Sequence, residues 1–185
     1  MINDILHEAD GKMDKSVAAT REEFATIRAG RAQPSMFNKI MVDYYGTPTP
    51  IQQLASFTSP EARIILVSPF DVNAMPAIEK AIRESDLGVN PSNDGKLIRC
   101  VFPELTEERR KEYIKLARAK AEDGRVSVRN VRRTAKQALE KLEKDGEVGK
   151  DDVTGAEKRL DGLTKKHTDE IDELLKNKEA ELLEV

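Results

Sequence analysis

The chain has 185 residues, 31 basic and 34 acidic, for a formal net charge of −3, with five Phe, three Tyr and no Trp. That length supports one or two domains with a self-sufficient core, and the single cysteine, Cys100, excludes an internal disulfide framework and any multi-cysteine metal site. No apolar run approaches the ~20 residues that a membrane span needs, and no basic segment followed by an apolar one opens the sequence as a secretion signal would, so a cytoplasmic protein without a membrane partner is expected.

Residues 2–29 predict a helix. Ile2, Leu6, Ala9, Met13, Ser16/Val17, Thr20, Phe24 and Ile27 recur at spacings of three and four, which places them on one face. Pro34 limits the extension. Residues 31–104 then change character, and all eight prolines fall there. Short apolar runs alternate with turn residues. Lys39–Tyr45 and Ile51–Thr58 predict strands around a Gly46–Pro50 turn, and Arg63–Ser68 predicts a compact strand. Ala74–Ser85 predicts a short helix with Ala77, Ile78, Ala81 and Ile82 on one face. Asn90–Gly95 reads as a loop before a last strand, Leu97–Phe102. Strands around one helix make an α+β unit.

Residues 106–145 predict a second long helix, with Thr106 as N-cap, Glu107 and Glu108 in the first turn, and Asp145-Gly146 ending it. Its apolar or small face runs through 113, 117, 121, 124, 128, 131, 135, 138 and 142. A third helix is expected to be capped by Asp151 or Asp152, with Val153, Ala156, Leu160, Leu163, His167, Ile171, Leu174, Lys178 and Leu182 as its stripe. None of these stripes can be buried by its own helix. Packed together they make an elongated three-helix bundle. The expected domains are therefore 1–30 plus 105–185 as the bundle, and 31–104 as an insert. The insert is tied in by a two-strand hinge at Ala29, Gly30, Arg31 and at Pro103, Glu104.

Charge is unevenly placed. Residues 109–136 hold 11 basic and 3 acidic side chains, whereas 137–185 hold 9 basic and 15 acidic ones. This asymmetry suggests a polyanionic partner or two helices drawn together by opposite charge. On a helical wheel with Arg125 at zero, Arg118 and Lys136 lie near about 20°, Arg129 and Lys111 near about 40°, Arg132 near about −20° and Arg133 near about 80°, roughly 115° from the small and apolar stripe. Arginine's planar fork suits phosphate. A line of like charges on a rod suits an RNA backbone read by shape, where a merely solvated face would mix signs at i, i+4.

An enzyme is not expected. Neither a P-loop nor a G-x-G-x-x-G pattern occurs. His7 and His167 lie far apart in sequence, and His167, on an apolar stripe, is expected to be a packed interface residue. Cys100 is expected to be a small buried hydrophobe. No metal ligand set and no cofactor are expected.

Several longer stretches are more specific. Ile27-Arg-Ala-Gly-Arg-Ala-Gln-Pro34, Tyr44-Tyr-Gly-Thr-Pro-Thr-Pro50, Gln53-Leu-Ala-Ser56, Ser85-Asp-Leu-Gly-Val-Asn-Pro91, Leu105-Thr-Glu-Glu-Arg-Arg-Lys111 and Arg125-Val-Ser-Val-Arg-Asn-Val-Arg-Arg133 resemble the bacterial ribosome recycling factor family, in order and over the whole chain. The resemblance implies an L-shaped α+β molecule, a three-helix bundle carrying a small hinged β/α/β domain. It implies a monomer that binds ribosomal RNA of the large ribosomal subunit after translation termination. With elongation factor G and GTP, such a factor splits the complex so that mRNA and tRNA are released. By motif match it implies RNA contacts at Arg129, Arg132 and Arg133, then at Arg109, Arg110, Arg28 and Arg31, beside Arg118, Arg125 and Lys136 of the basic line. One departure is Gly124, where alanine is usual in the family. Its expected cost is about 1 kcal/mol of helix stability and a local loosening of the rod. The reading from a different class is a coiled-coil interaction or chaperone-like protein that binds an acidic protein partner.

Overall fold

The computed structural model describes residues 1–184. Ten regular elements follow one another: α1 Ile2–Thr26, β1 Met41–Tyr44, β2 Thr47–Pro50, β3 Ala55–Glu61, β4 Ile64–Pro69, α2 Met75–Arg83, β5 Asn90–Asn93, β6 Ile98–Val101, α3 Glu107–Lys144 and α4 Lys150–Leu183. The chain is mixed α+β and divides into two compact units. One is Met1–Phe24 with Lys115–Glu179, and the other is Ala25–Ile114 with the residues from Ala180 onward. No helix among the described residues is long and apolar enough to cross a membrane.

The first unit is helical. Leu6, Ala9, Met13, Val17, Thr20 and Phe24 of α1 are buried, as are Ala117, Ala121, Gly124, Val128, Ala135 and Leu139 of α3, and Val153, Ala156, Leu160, His167, Ile171 and Lys178 of α4. The spacings read from the sequence therefore face inward. Leu139, outside the expected stripe, is fully buried, while Ala138 and Leu142 are only partly so. A helix packed against two neighbours buries a broader arc than one line of positions.

The ends of the long helices follow local chemistry. The Arg109 amide donates to Thr106 Oγ1 at 3.1 Å, which is the expected cap. At the far end of α3 the Gly146 amide donates to the Glu143 carbonyl and the Glu147 amide to the Leu142 carbonyl, both at 3.0 Å, with Gly146 at φ +74°. That is a Schellman stop, and it needs the left-handed backbone glycine allows. Two expected ends move. α4 starts at Lys150, where the Val153 amide donates to the Gly149 carbonyl. Asp151 and Asp152 thus sit in the first turn, favoured by the helix dipole, and are not caps. α1 stops at Thr26 and not near 29, and Ser35 Oγ donates to the freed Ala25 carbonyl at 3.2 Å.

Gly124 does not loosen the rod. A Cβ there would overlap Thr20 Oγ1 and meet Ile171 Cδ1 at 3.1 Å, so the three long helices converge on this residue. Thr20 Oγ1 is held in place by donating to the Ser16 carbonyl at 3.0 Å. Glycine here is a close-approach residue. Gly124→Ala is expected to lower stability by about 1–2 kcal/mol, because overpacking outweighs the gain in helix propensity of about 1 kcal/mol. In a Thr20→Ala background the same change should be neutral or stabilising. A urea double-mutant cycle reads the coupling, and additivity of the two changes would refute the packing argument.

The second unit contains an antiparallel sheet in the order β3-β4-β6-β5 and a separate β1-β2 hairpin. Its core gathers Phe37, Val42, Ile51, Ile65, Val67, Ile78, Ile82, Ile98, Cys100 and Phe102. Phe37 meets Phe102 edge-on at 6.1 Å and Phe57 at 5.2 Å. Cys100 is buried, as expected, and burial with the nearby Glu79 pushes its thiol up to about 12.

Ile51–Gln53 is a short 3-10 helix, so the strand expected at Ile51–Thr58 runs from Ala55 to Glu61 instead, and two further expectations fail for one shared reason. Thr47–Pro50 is a strand and not a turn, and Asn90–Asn93 is a strand and not a loop. The first turn is Tyr45-Gly46 alone, with φ +50° and +82°, the left-handed pair of a type I′ hairpin. With Tyr44 opposite Thr47, the ladder alternates so that Pro48 and Pro50 sit where an amide would point away from β1. The Asp94 amide donates to the Leu97 carbonyl in the second hairpin, which puts Pro91 in the same outward phase. A proline that faces off an edge loses no ladder bond.

Candidate RNA-binding face

The basic residues of α3 stand on a rigid helix that turns by about 100° per residue, so their sequence spacing fixes which of them share an edge. The structure separates the expected line into two sets. Arg118, Arg125 and Arg132 recur every seventh residue and meet acids of α4. Arg118 Nε donates to Glu179 Oε1 at 2.7 Å, Arg125 to Asp172 Oδ1 at 2.7 Å, and Arg132 Nε to Asp161 Oδ1 at 2.8 Å. Opposite charge thus holds α3 to α4 along this edge. Arg125 is the most enclosed of the three, with its side chain 19% exposed. Burial opposes its charge, but hydrogen bonds to Asp172 and Glu122 outweigh that and hold its pKa above the ordinary value.

The second set lies farther round the helix. Among the described residues Arg129, 56% exposed, pairs only with Glu122, at 3.2 Å. The guanidinium groups of Arg129 and Arg125 hold the Glu122 carboxyl below its usual range. Arg133 is exposed and has no ion-pair partner among the described residues, and Lys136 is half-buried. Arg132 borders both sets, because its ion pair is itself open to solvent, at 37% and 58% exposure for the two side chains. Arg129, Arg132, Arg133 and Lys136 thus lie within about two turns of α3, with Arg129 and Arg132 ion-paired and Arg133 open to solvent.

The remaining expected contacts belong to the second unit. Arg109 pairs with Glu112 at 3.5 Å, and Arg110 Nη1 donates to the Leu183 carbonyl at 3.4 Å. Both present their charge near the start of α3. Arg31 is exposed. Arg28 is placed differently from the expectation. It is 6% exposed, its Nη2 donates to the Pro103 carbonyl, and its guanidinium carbon lies 5.4 Å from the Phe102 ring centre. Desolvation lowers its pKa from the ordinary value. Tyr113 opposes that shift, while Arg63 and Arg109 add to it. A side chain so enclosed ties the segments at 28–30 and 102–104 together and leaves little of its guanidinium open to solvent. Ala29 is buried beside it, while Pro103 and Glu104 are exposed.

The α4 partners Asp161, Asp172 and Glu179 were not singled out from the sequence. Their signal was present: a step of seven along α3 from Arg118 to Arg125 is met by a step of seven back along α4, from Glu179 to Asp172. Charge totals over whole segments hide such a register.

Comparison with known proteins adds independent findings. The family model for ribosome recycling factor matches residues 20–183. The ribosome-recycling factor of a Nocardioides species is 82% identical over 185 residues, covering all of both chains. A solution structure of the ribosome recycling factor superposes with a TM-score of 0.78 at 43% identity, covering all of this chain and 98% of that one. A second structure, of T. thermophilus ribosome recycling factor and E. coli elongation factor G bound to the E. coli post-termination complex, gives a TM-score of 0.69 at 40% identity over both whole chains.

Proposed function

The chain belongs to the ribosome recycling factor family, and on that premise we propose that it recycles ribosomes after translation termination. It binds the large ribosomal subunit and, with elongation factor G and GTP, splits the post-termination complex so that mRNA and tRNA leave. The observation that carries this reading is the end-to-end match to a factor that has been placed, together with elongation factor G, on such a complex. The chain works by binding as a monomer in the cytoplasm. It is not an enzyme, and GTP is consumed by its partner.

The open flank of α3 is the surface that meets ribosomal RNA. Arg129, Arg132 and Arg133 supply guanidinium forks for phosphate, and Lys136 supplies a point charge. Arg109, Arg110 and Arg31 extend the contact, while Arg118 and Arg125 serve the bundle. The sequence pattern divides the chain into two bodies, 1–30 with 105–185 and 31–104, hinged at Ala29–Arg31 and Pro103–Glu104, whereas the compact units change over at 24/25 and 114/115 and keep both linkers inside the second unit. There Arg28 fastens one linker to the other.

Sedimentation of post-termination ribosomes tests the proposal. Free subunits should appear only when this chain, elongation factor G and GTP are all supplied. Splitting that proceeds at full rate without the chain, or intact ribosomes in the complete mixture, would refute it.

A further inference from the structure

Asp10 and Asp14 lie one turn apart on α1, and α4 lays His167 against them. The imidazole is wholly buried. Its Nδ1 is 2.7 Å from the Leu163 carbonyl, and its Nε2 is 2.7 Å from Asp14 Oδ1 and 3.3 Å from Asp10 Oδ1. A carbonyl only accepts, so Nδ1 carries the hydrogen of that bond. In a neutral ring the Nε2 lone pair would then point at two carboxylates, an arrangement that either a proton on Nε2 or a metal ion between the three groups relieves. Asp10 Oδ1 is itself buried and makes no hydrogen bond among the described residues.

We propose that Asp10, Asp14 and His167 form a binding site for a divalent transition-metal ion of the zinc class, which clasps α1 to α4. One imidazole nitrogen and two carboxylate oxygens suit that class, whereas the hard cations calcium and magnesium prefer oxygen alone. The two carboxylates balance the charge of the ion. The Nδ1–H···O=C bond to Leu163 is the outer contact that fixes tautomer and ring orientation in histidine-ligated sites. The spacing fits as well. Tetrahedral zinc with bonds of about 2.0–2.1 Å sets its ligand atoms roughly 3.3 Å apart. Asp10 already stands at that distance from Nε2. Asp14, 63% exposed, has room to swing outward to it. All three ligand atoms lie within 4.8 Å of one another. A groove lined by Asn3, His7, Asp10, Arg159 and Leu163 opens the Asp10 side to solvent and admits the ion and its completing water. The sequence held no sign of this, because the ligands stand at positions 10, 14 and 167 and meet only through the helix pairing.

The test uses the full chain, freed of metal by a chelator and titrated with cobalt(II) as a spectroscopic stand-in. A saturable visible band of four-coordinate intensity at one equivalent is expected, and zinc should abolish it. Asp10→Asn and Asp14→Asn, both at solvent-touched positions that leave the helix intact, should each weaken binding at least about tenfold, as loss of a ligand outweighs loss of an outer contact. His7→Ala should bind like the parent. If no saturable band forms, or if both Asp variants bind cobalt as the parent does, the three residues are only a protonated histidine held between two carboxylates and the metal site is wrong.

Discussion

Arg133→Ala is expected to weaken binding to the large ribosomal subunit about ten- to a hundredfold while leaving stability within about 0.5 kcal/mol of the parent. Arg133 is exposed and has no ion pair to lose among the described residues. A charge-assisted hydrogen bond to phosphate contributes roughly 1.5–3 kcal/mol, which converts to that range of affinity. The salt dependence carries the diagnosis. Binding by the parent should weaken steeply as salt rises, because counterions leave the RNA on association, and the variant should give a shallower slope. Arg133→Lys should recover part of the loss, since lysine keeps the charge without the fork. Arg132 separates the two readings of the ridge. If it serves RNA, Arg132→Ala should cost affinity while Asp161→Asn, which frees the guanidinium, should not. If it serves only the α3–α4 pair, the two variants should behave alike. Subunit binding that is unchanged in both Arg133→Ala and Arg132→Ala at every salt concentration would remove the RNA assignment.

Leu160→Ala should lower stability by about 2–5 kcal/mol, the range for deleting a fully enclosed leucine side chain. Leu160 is 1% exposed, at the centre of the α4 stripe. For a chain of this size that corresponds to a fall of roughly 5–15 °C in Tm. Leu174→Ala should cost less, because Leu174 is only partly buried and leaves a smaller void. Denaturant unfolding at 25 °C measures both, and a loss below about 0.5 kcal/mol at position 160 would mean that α4 does not pack in this register.

The helices and their faces were legible because period and caps are local. The α4 stripe from Val153 to Leu182 needs only spacing, and Thr106 announces its cap by type and place. The prolines of 48, 50 and 91 misled for the opposite reason. Proline is read as a turn signal, and whether it faces off an edge depends on the phase of a ladder that only the partner strand sets. Gly124 was misjudged in the same manner, since its cost is a property of α3 and its use is a property of Thr20 and Ile171. At the basic face, residue type marked the cations, but which of them are already neutralised depended on the register of α4. Arg28 shows the limit most plainly. Its motif pointed to RNA, and its burial against Phe102 and Pro103 became visible only once chain segments 75 residues apart had met.

The outward prolines of β2 also govern what other molecules this chain can join. Among the described residues β1 is the strand partner of β2, so the far side of β2 is a free margin. A free margin normally offers a row of amide donors on which a foreign strand can template itself. Here the two outward positions, 48 and 50, carry no N–H. An incoming strand finds carbonyls without their matching donors, so β2 is a poor template for a further chain.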